Sequence, residues 1–203
     1  MLTIWGRLNS HNVKKVAWFA VELGLNFERH DIGGAFGMDA AYLAKNPNAL
    51  IPTIEDDGFT LWESNAILRY LAAKHGSERF WPTDPAVRAA ADKWMDWQID
   101  YAERQRGAFL NLVRTPPEQR DPAAIAASAQ RCAERMAVLD EALSRAPWLS
   151  GADFGIGDIP MGVYAHTWFS IDIERPALPH VEDWYARIRK RPGYAEQVMI
   201  PLT

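Results

Sequence analysis

Apolar positions along the chain follow two different periods, and the change falls near residue 80. Before it, short apolar runs alternate with stretches of helical spacing. Leu2 to Trp5 reads as a strand, and Val13, Val16, Ala17, Ala20 and Gly24 then recur on one helical face, small enough for close packing. NFERHDI, residues 26–32, reads as a second strand, and a strand-helix-strand unit of this length closes by a right-handed crossover. Residues 33–48 are rich in glycine and alanine and contain Asn-Pro-Asn, which predicts a loop with a short irregular helix. PTIED and FTLW flank Asp57-Gly58, a dipeptide suited to a tight hairpin, so strands three and four are expected to be antiparallel. Ile67, Tyr70 and Leu71 begin a helical stripe that runs out at Lys-His-Gly-Ser. The order is strand-helix-strand, a linking helix, then strand-strand-helix.

Beyond residue 80 the pattern is helical throughout. Gly76 to Pro85 cluster glycine, serine and two prolines between periodic segments, which predicts domains at 1–76 and 86–203 joined by a linker at 77–85. A long helix is expected over 86–113, ending before Thr115-Pro116-Pro117. A second starts at Asp121-Pro122, with proline in its first turn and Ile125, Cys132, Met136, Leu139 and Leu143 as its buried stripe. Shorter helices are expected at 158–169 and 179–190.

Composition narrows the chemistry. The 203 residues carry mixed charge with a net of −4, which leaves no basic footprint for nucleic acid and no polybasic segment for a membrane surface. The single cysteine, Cys132, excludes an internal disulfide framework and any CxxC redox or zinc motif. Its place in an apolar stripe makes it a core residue rather than a nucleophile. The first residues lack a basic segment followed by an apolar one, and no apolar stretch approaches the ~20 residues of a membrane span, so the expected address is the cytoplasm. Nine tryptophans read as core packing, with large pockets or an interface as the other reading.

The strand-strand-helix unit after a strand-helix-strand unit, Ile51-Pro52-Thr53 entering strand three, Glu63-Ser64-Asn65-Ala66-Ile67 opening the next helix and an all-helical second half together resemble the cytosolic glutathione S-transferase superfamily. The resemblance covers essentially the whole chain and is nearest to bacterial theta-like and nu-like members with serine or threonine at the active site. It implies an α/β fold: a thioredoxin-like N-terminal domain of order βαβ-α-ββα with a mixed four-stranded sheet, followed by an all-α C-terminal domain. It further implies a transferase that uses glutathione as co-substrate, no metal, a small electrophile as second substrate, and a homodimer.

Glutathione is an extended tripeptide with two carboxylates, one ammonium and a thiol. A binder must pair its backbone, hold the γ-glutamyl end and acidify the sulfur. By the resemblance, Pro52 carries a cis bond and Ile51 pairs its backbone with the cysteinyl part, whereas locally Pro52 reads as an ordinary trans proline at an edge strand. The helix opening near Glu63 offers free N–H groups and partial positive charge to a carboxylate. Ser64 adds a hydroxyl and an amide, and Glu63 accepts from the γ-glutamyl ammonium; locally the pair also reads as a cap and a first-turn acid. The resemblance places the thiol-contacting hydroxyl at Ser10 and a nu-like asparagine at Asn12, while Asn9, Ser10 and Asn12 would each serve as an N-cap. His11 between them reads as a solvated loop residue.

The chain departs from the family pattern at two places. Leu50 stands where many relatives carry Lys, Arg or Gln against the glycyl carboxylate, which leaves that end to residues 33–48, such as Lys45. Gly155 stands where relatives have a capping Ser or Thr three residues before Asp158. For the second substrate, Arg104, Arg106 and Phe109 are the candidate lining, with Trp5 or Trp168 as neighbours, and Asp100 is placed to reach a partner's glutathione. Two other activities stay open on the same residues: disulfide or peroxide reduction with glutathione, and a non-catalytic binding or assembly module.

Overall fold

The computed structural model describes residues 1–203, which group into two compact units: Met1–Thr83 with Arg191–Ile200, and Asp84–Lys190 with Pro201–Thr203. The first unit runs β1 (Leu2–Trp5), α1 (His11–Glu22), β2 (Phe27–His30), α2 (Ala40–Lys45), β3 (Thr53–Asp56), β4 (Phe59–Trp62), α3 (Ser64–His75) and a short α4 (Ser77–Phe80). The sheet order is β2-β1-β3-β4, with β1 parallel to β2 and β3 antiparallel to both neighbours. This is the mixed thioredoxin-like arrangement that the resemblance implies. Leu2 and Ile4 alternate inward along β1 and meet Ile54, while Ile67, Leu68 and Leu71 of α3 close the same core. Asp57 and Gly58 both take positive φ (50° and 84°), the turn geometry the hairpin needs.

Helix α1 differs from its sequence expectation. One apolar stripe predicts one buried face, yet every residue from Val13 to Ala20 is buried, Lys14 and Lys15 at 2% exposure each. The other face is covered by the C-terminal segment, which the sequence reading assigned to the helical domain. Trp18 meets Tyr194 edge to face at 4.8 Å, Lys14 Nζ donates to the Val198 carbonyl at 2.9 Å, and Arg191 forks onto the Glu22 carboxylate. Hydrophobic periodicity carries no signal for this return, because Tyr194–Gln197, here α9, is a single helical turn without a period of its own. Ser77–Phe80 likewise forms a helical turn inside the span read as linker, and Phe80 is buried against Phe19 at 5.2 Å.

The second unit is all-helical: α5 (Pro85–Phe109), extended by a π-helical turn over Leu110–Arg114, then α6 (Pro122–Leu143), α7 (Asp158–Ser170) and α8 (Pro179–Ile188). Helices α5 and α6 start alike. Asp84 and Asp121 each accept from two backbone N–H groups, and a proline occupies the first turn, where its missing N–H leaves nothing unpaired. Cys132 lies in the α6 core at 1% exposure with its thiol pushed up to about 11 by burial, so it is a packed residue. The capping hydroxyl that Gly155 cannot supply comes from Ser150, whose Oγ accepts the Gly157 N–H at 3.0 Å. Asp158, fully buried, accepts from the N–H groups of Leu149, Ser150 and Gly155 and from Trp184 Nε1 at 2.9 Å.

Two stability tests follow from the first unit. A Cβ on Gly6, where φ is +151°, would lie 2.5 Å from Val13 Cγ2 and 3.2 Å from Ile51 Cβ, so Gly6→Ala should lower unfolding free energy by about 3 kcal/mol in denaturant titrations. Burial lowers Lys14 to about 8 and Lys15 to about 7 from the ordinary 10.5. Between those values and 10.5 the unfolded chain binds more protons, so stability should rise with pH across that window. The expected slope is roughly 1.4 kcal/mol per pH unit for each lysine, and Lys14→Met/Lys15→Met should remove that increment when its stability curve is subtracted from wild type.

Candidate functional site

Strand register brings the candidate segments together. Trp5, the last residue of β1, pairs with Thr53, the first of β3, which pairs with Trp62, the last of β4. The loop into α1, the Ile51-Pro52 approach to β3 and the start of α3 therefore all leave the sheet from one row. Gly6 lets them close up: its N–H donates to the His30 carbonyl at 2.8 Å, and its bare Cα sits between Val13 and Ile51.

Ser10 occupies the N-cap position of α1 in an extended conformation (φ −79°, ψ 128°), and its carbonyl accepts the Lys14 N–H at 2.9 Å. Its hydroxyl makes no capping bond, so the capping reading of this serine does not account for its side chain. His11 is the first helical residue and half-buried, not a solvated loop residue. The Ile51–Pro52 bond is cis. Ile51 itself makes no backbone hydrogen bond in either direction, leaving its N–H and C=O open to an added peptide. The loop before it is fastened by side chains: Tyr42 Oη and Asn46 Nδ2 donate to the Leu50 carbonyl at 2.5 and 2.9 Å, and both lie within reach of Thr53 Oγ1. Burial raises the Tyr42 hydroxyl above its usual range, which keeps it protonated as a donor.

Glu63 carries the most unusual backbone in the row, φ 72° and ψ 108°, which costs a non-glycine residue on the order of 1–3 kcal/mol. Its carbonyl caps Ile67 N–H at 2.9 Å, but its side chain is exposed and makes no cap bond. A cap bond from the side chain therefore does not account for this strain. Ser64, 7% exposed, is more deeply placed. Its hydroxyl lies 3.3 Å from Asn12 Oδ1 and 3.4 Å from Lys15 Nζ, and Lys15 Nζ also reaches Asn65 Oδ1 at 3.3 Å. Of the residues singled out from sequence, Asn12 and Ser64 are thus joined directly. Lys15, Asn65, Tyr42 and Asn46 were missed; the visible signal was Lys14-Lys15 interrupting the apolar run from Val13 to Val21.

Other expectations fare differently. Leu50 is 60% exposed, and Lys45, the residue suggested in its stead, is engaged by Glu55 at 2.8 Å with its ammonium 5.3 Å over the Trp5 ring. Trp5 itself donates to Glu55 at 2.7 Å and stacks on His30 at 4.6 Å. In the helical unit, Arg104 forks onto Asp100 at 2.7 and 3.0 Å, and Arg135 joins the same carboxylate at 2.8 Å. The helical period turns Arg106 about 200° from Arg104, so the two face different surroundings. Arg106 is exposed, whereas Phe109 is buried under the Arg114 guanidinium at 5.2 Å. Trp168 is only 1% exposed and belongs to the core. A cavity of about 470 Å³ in this unit is lined by Leu112, Pro122, Ile125 and Ala129 of its apolar wall and by Asp172 and Glu174, and by none of the candidate second-substrate residues.

Comparison with known proteins gives the family. The family model described as Glutathione S-transferase, N-terminal domain, matches residues 1–73. The chain is 45% identical over 208 aligned positions, spanning 100% of both chains, to Glutathione S-transferase GstB of Escherichia coli strain K12. The chain belongs to the glutathione S-transferase family. It is also 30% identical to Disulfide-bond oxidoreductase YfcG of the same strain, over 93% of this chain and 90% of the relative. Among solved structures of the family, the theta class glutathione S-transferase of the citrus canker pathogen Xanthomonas axonopodis pv. citri, with glutathione bound, matches with TM-score 0.95 and 48% identity over 100% of this chain and 99% of that one.

Proposed function

We propose that this glutathione S-transferase holds glutathione along the row formed by Ile51, Pro52, Glu63 and Ser64 and activates it as a thiolate beside Ser10 and Asn12 for attack on a small electrophile. The observation that carries the reading is the Ser10 hydroxyl, which sits at the positive end of α1 with no capping duty. A free thiol near pKa 8.5 is only a few per cent ionised at pH 7, and lowering it by about two units takes roughly 2.7 kcal/mol of preference for the anion. Hydrogen bonds from Ser10 and Asn12 together with the helix end supply interactions of that size. The serine is a donor to sulfur and not a nucleophile.

Transferase chemistry is favoured over disulfide reduction because full-length identity to the GstB relative is 45%, against 30% to the oxidoreductase. A bare binding module is disfavoured by the intact Ser10, Asn12, Glu63 and Ser64 set. Titrating glutathione while following thiolate absorbance should give saturable binding and an acidified sulfur in wild type. Ser10→Ala and Asn12→Ala should each cut the thiolate fraction at neutral pH by about tenfold. Activity with a chloronitroaromatic and none with a mixed disulfide is the expected pattern; the reverse would transfer the protein to the reductases, and no saturation at millimolar glutathione would leave a binding module.

The cytoplasm is the proposed address, which the lone, buried Cys132 fits. Two copies are proposed to associate through exposed apolar residues: Phe59 and Trp62 on edge strand β4, and Val87 and Ile99 on α5. Sedimentation should find a dimer in wild type and a monomer in Trp62→Glu; an unchanged dimer would move the interface elsewhere.

A further inference from the structure

Helix α1 buries two adjacent lysines that have different acceptors. Lys14 donates to the Val198 carbonyl, a backbone tie that fastens the C-terminal segment. Lys15 Nζ reaches side chains at the candidate site, Ser64 Oγ at 3.4 Å and Asn65 Oδ1 at 3.3 Å. An ammonium buried to 2% exposure is costly wherever an apolar side chain of the same length would pack, so a position that needed only volume would be served better by methionine.

Donor arithmetic says what the lysine does. Burial lowers Lys15 to about 7, so below neutrality it is an ammonium with three hydrogens and no lone pair, and in that form Ser64 Oγ must accept from it. The single hydrogen of that hydroxyl then goes to its other neighbour, Asn12 Oδ1, 3.3 Å away, which leaves Ser64 to meet the γ-glutamyl carboxylate through its backbone N–H alone. An asparagine whose carbonyl oxygen is occupied by Ser64 presents its NH₂ on the opposite side. Without the cation, Ser64 could equally accept from Asn12 Nδ2, and the amide would turn its oxygen, an acceptor bearing partial negative charge, toward the place proposed for the sulfur.

We infer that Lys15 is a positioning residue that selects the orientation of the Asn12 amide through the Ser64 hydroxyl, so that Asn12 meets the glutathione sulfur as a hydrogen-bond donor. The inference rests on the assignment of Asn12 and Ser64 to the glutathione site. Lys15 itself touches neither sulfur nor electrophile. Its effect is on direction: a buried charge polarises a chain of two neutral side chains and leaves one free donor at the end.

The test is a thiolate titration of bound glutathione in wild type, Lys15→Met, Asn12→Ala and the double variant, with melting temperature followed in parallel. Lys15→Met should fold with an unchanged or raised melting temperature and lose about three- to tenfold of the thiolate fraction at about pH 6, where Lys15 is charged. That loss should vanish in the Asn12→Ala background, where no amide remains to be oriented. A normal thiolate in Lys15→Met, or a loss that persists undiminished beside Asn12→Ala, overturns the relay and leaves the functional reading standing. A normal thiolate in Asn12→Ala removes Asn12 from the sulfur, and the relay with it. If Lys15→Met is not recovered folded, Lys15→Gln serves the same comparison, because a neutral amide can accept as well as donate and cannot enforce the direction.

Discussion

The first unit depends on one constraint of register: β1 ends, β3 begins and β4 ends in a single row, so that α1, the Ile51-Pro52 segment and α3 all start from the same edge of the sheet. A helix start is an array of unpaired N–H groups, and two of them converging make a surface rich in donors and poor in acceptors. Such a surface suits an anion. The hydrogen bond between Asn12 of α1 and Ser64 of α3 shows how close the two starts lie. Gly6 makes the approach possible, because any side chain there would collide with Val13 and Ile51 together.

Much of this was legible in the chain. Strand β1, the Asp57-Gly58 turn, the prolines in the first turns of α5 and α6 and the Cys132 stripe are local patterns, decided by residues a few positions apart. The features that escaped are those decided at long range. Lysine is ordinarily a surface residue, and nothing near Lys14 in sequence reveals that Val198 will supply its acceptor. Glu63 reads as a first-turn acid because left-handed backbone is a property of the tertiary site and not of glutamate. Arg104 and Arg106 were grouped by proximity in sequence, although two steps along a helix nearly reverse direction. Asp100 takes up Arg104 in a fork, an i, i+4 pairing that the local sequence does contain.

The departures from the family pattern have unequal consequences. At Gly155 the missing hydroxyl is replaced from elsewhere: Ser150 accepts the Gly157 N–H, and Asp158 gathers four donors, so the start of α7 remains satisfied. At Leu50 the change removes a side chain but not the backbone it belongs to. The Leu50 carbonyl is still held by Tyr42 and Asn46, which fastens the backbone immediately before Ile51. The side chain at position 50 can therefore change without disturbing the backbone that leads into Ile51, since the Leu50 carbonyl is anchored by other residues.

The position of the buried charge bears on how the sulfur is expected to react. A cation in direct contact would stabilise the thiolate strongly, but nucleophilicity falls as thiol pKa falls, with a Brønsted coefficient of about 0.4–0.5, so an over-stabilised anion reacts more slowly. Dipoles from a hydroxyl, an amide and a helix end stabilise it moderately, and their weakness is directional: a rotatable amide can present either end. Placing Lys15 behind Ser64 addresses that weakness without putting a full charge on the sulfur. The arrangement has its own cost, because burial lowers Lys15 to about 7 and the coulombic attraction of Glu63 only partly opposes the loss. Glu63 is also the residue whose backbone is strained, so the same side chain that is proposed to receive the γ-glutamyl ammonium helps to keep the lysine charged. Ligand binding at Glu63 and charge on Lys15 are thereby linked through one carboxylate, with the ligand's ammonium and the lysine drawing on the same negative charge.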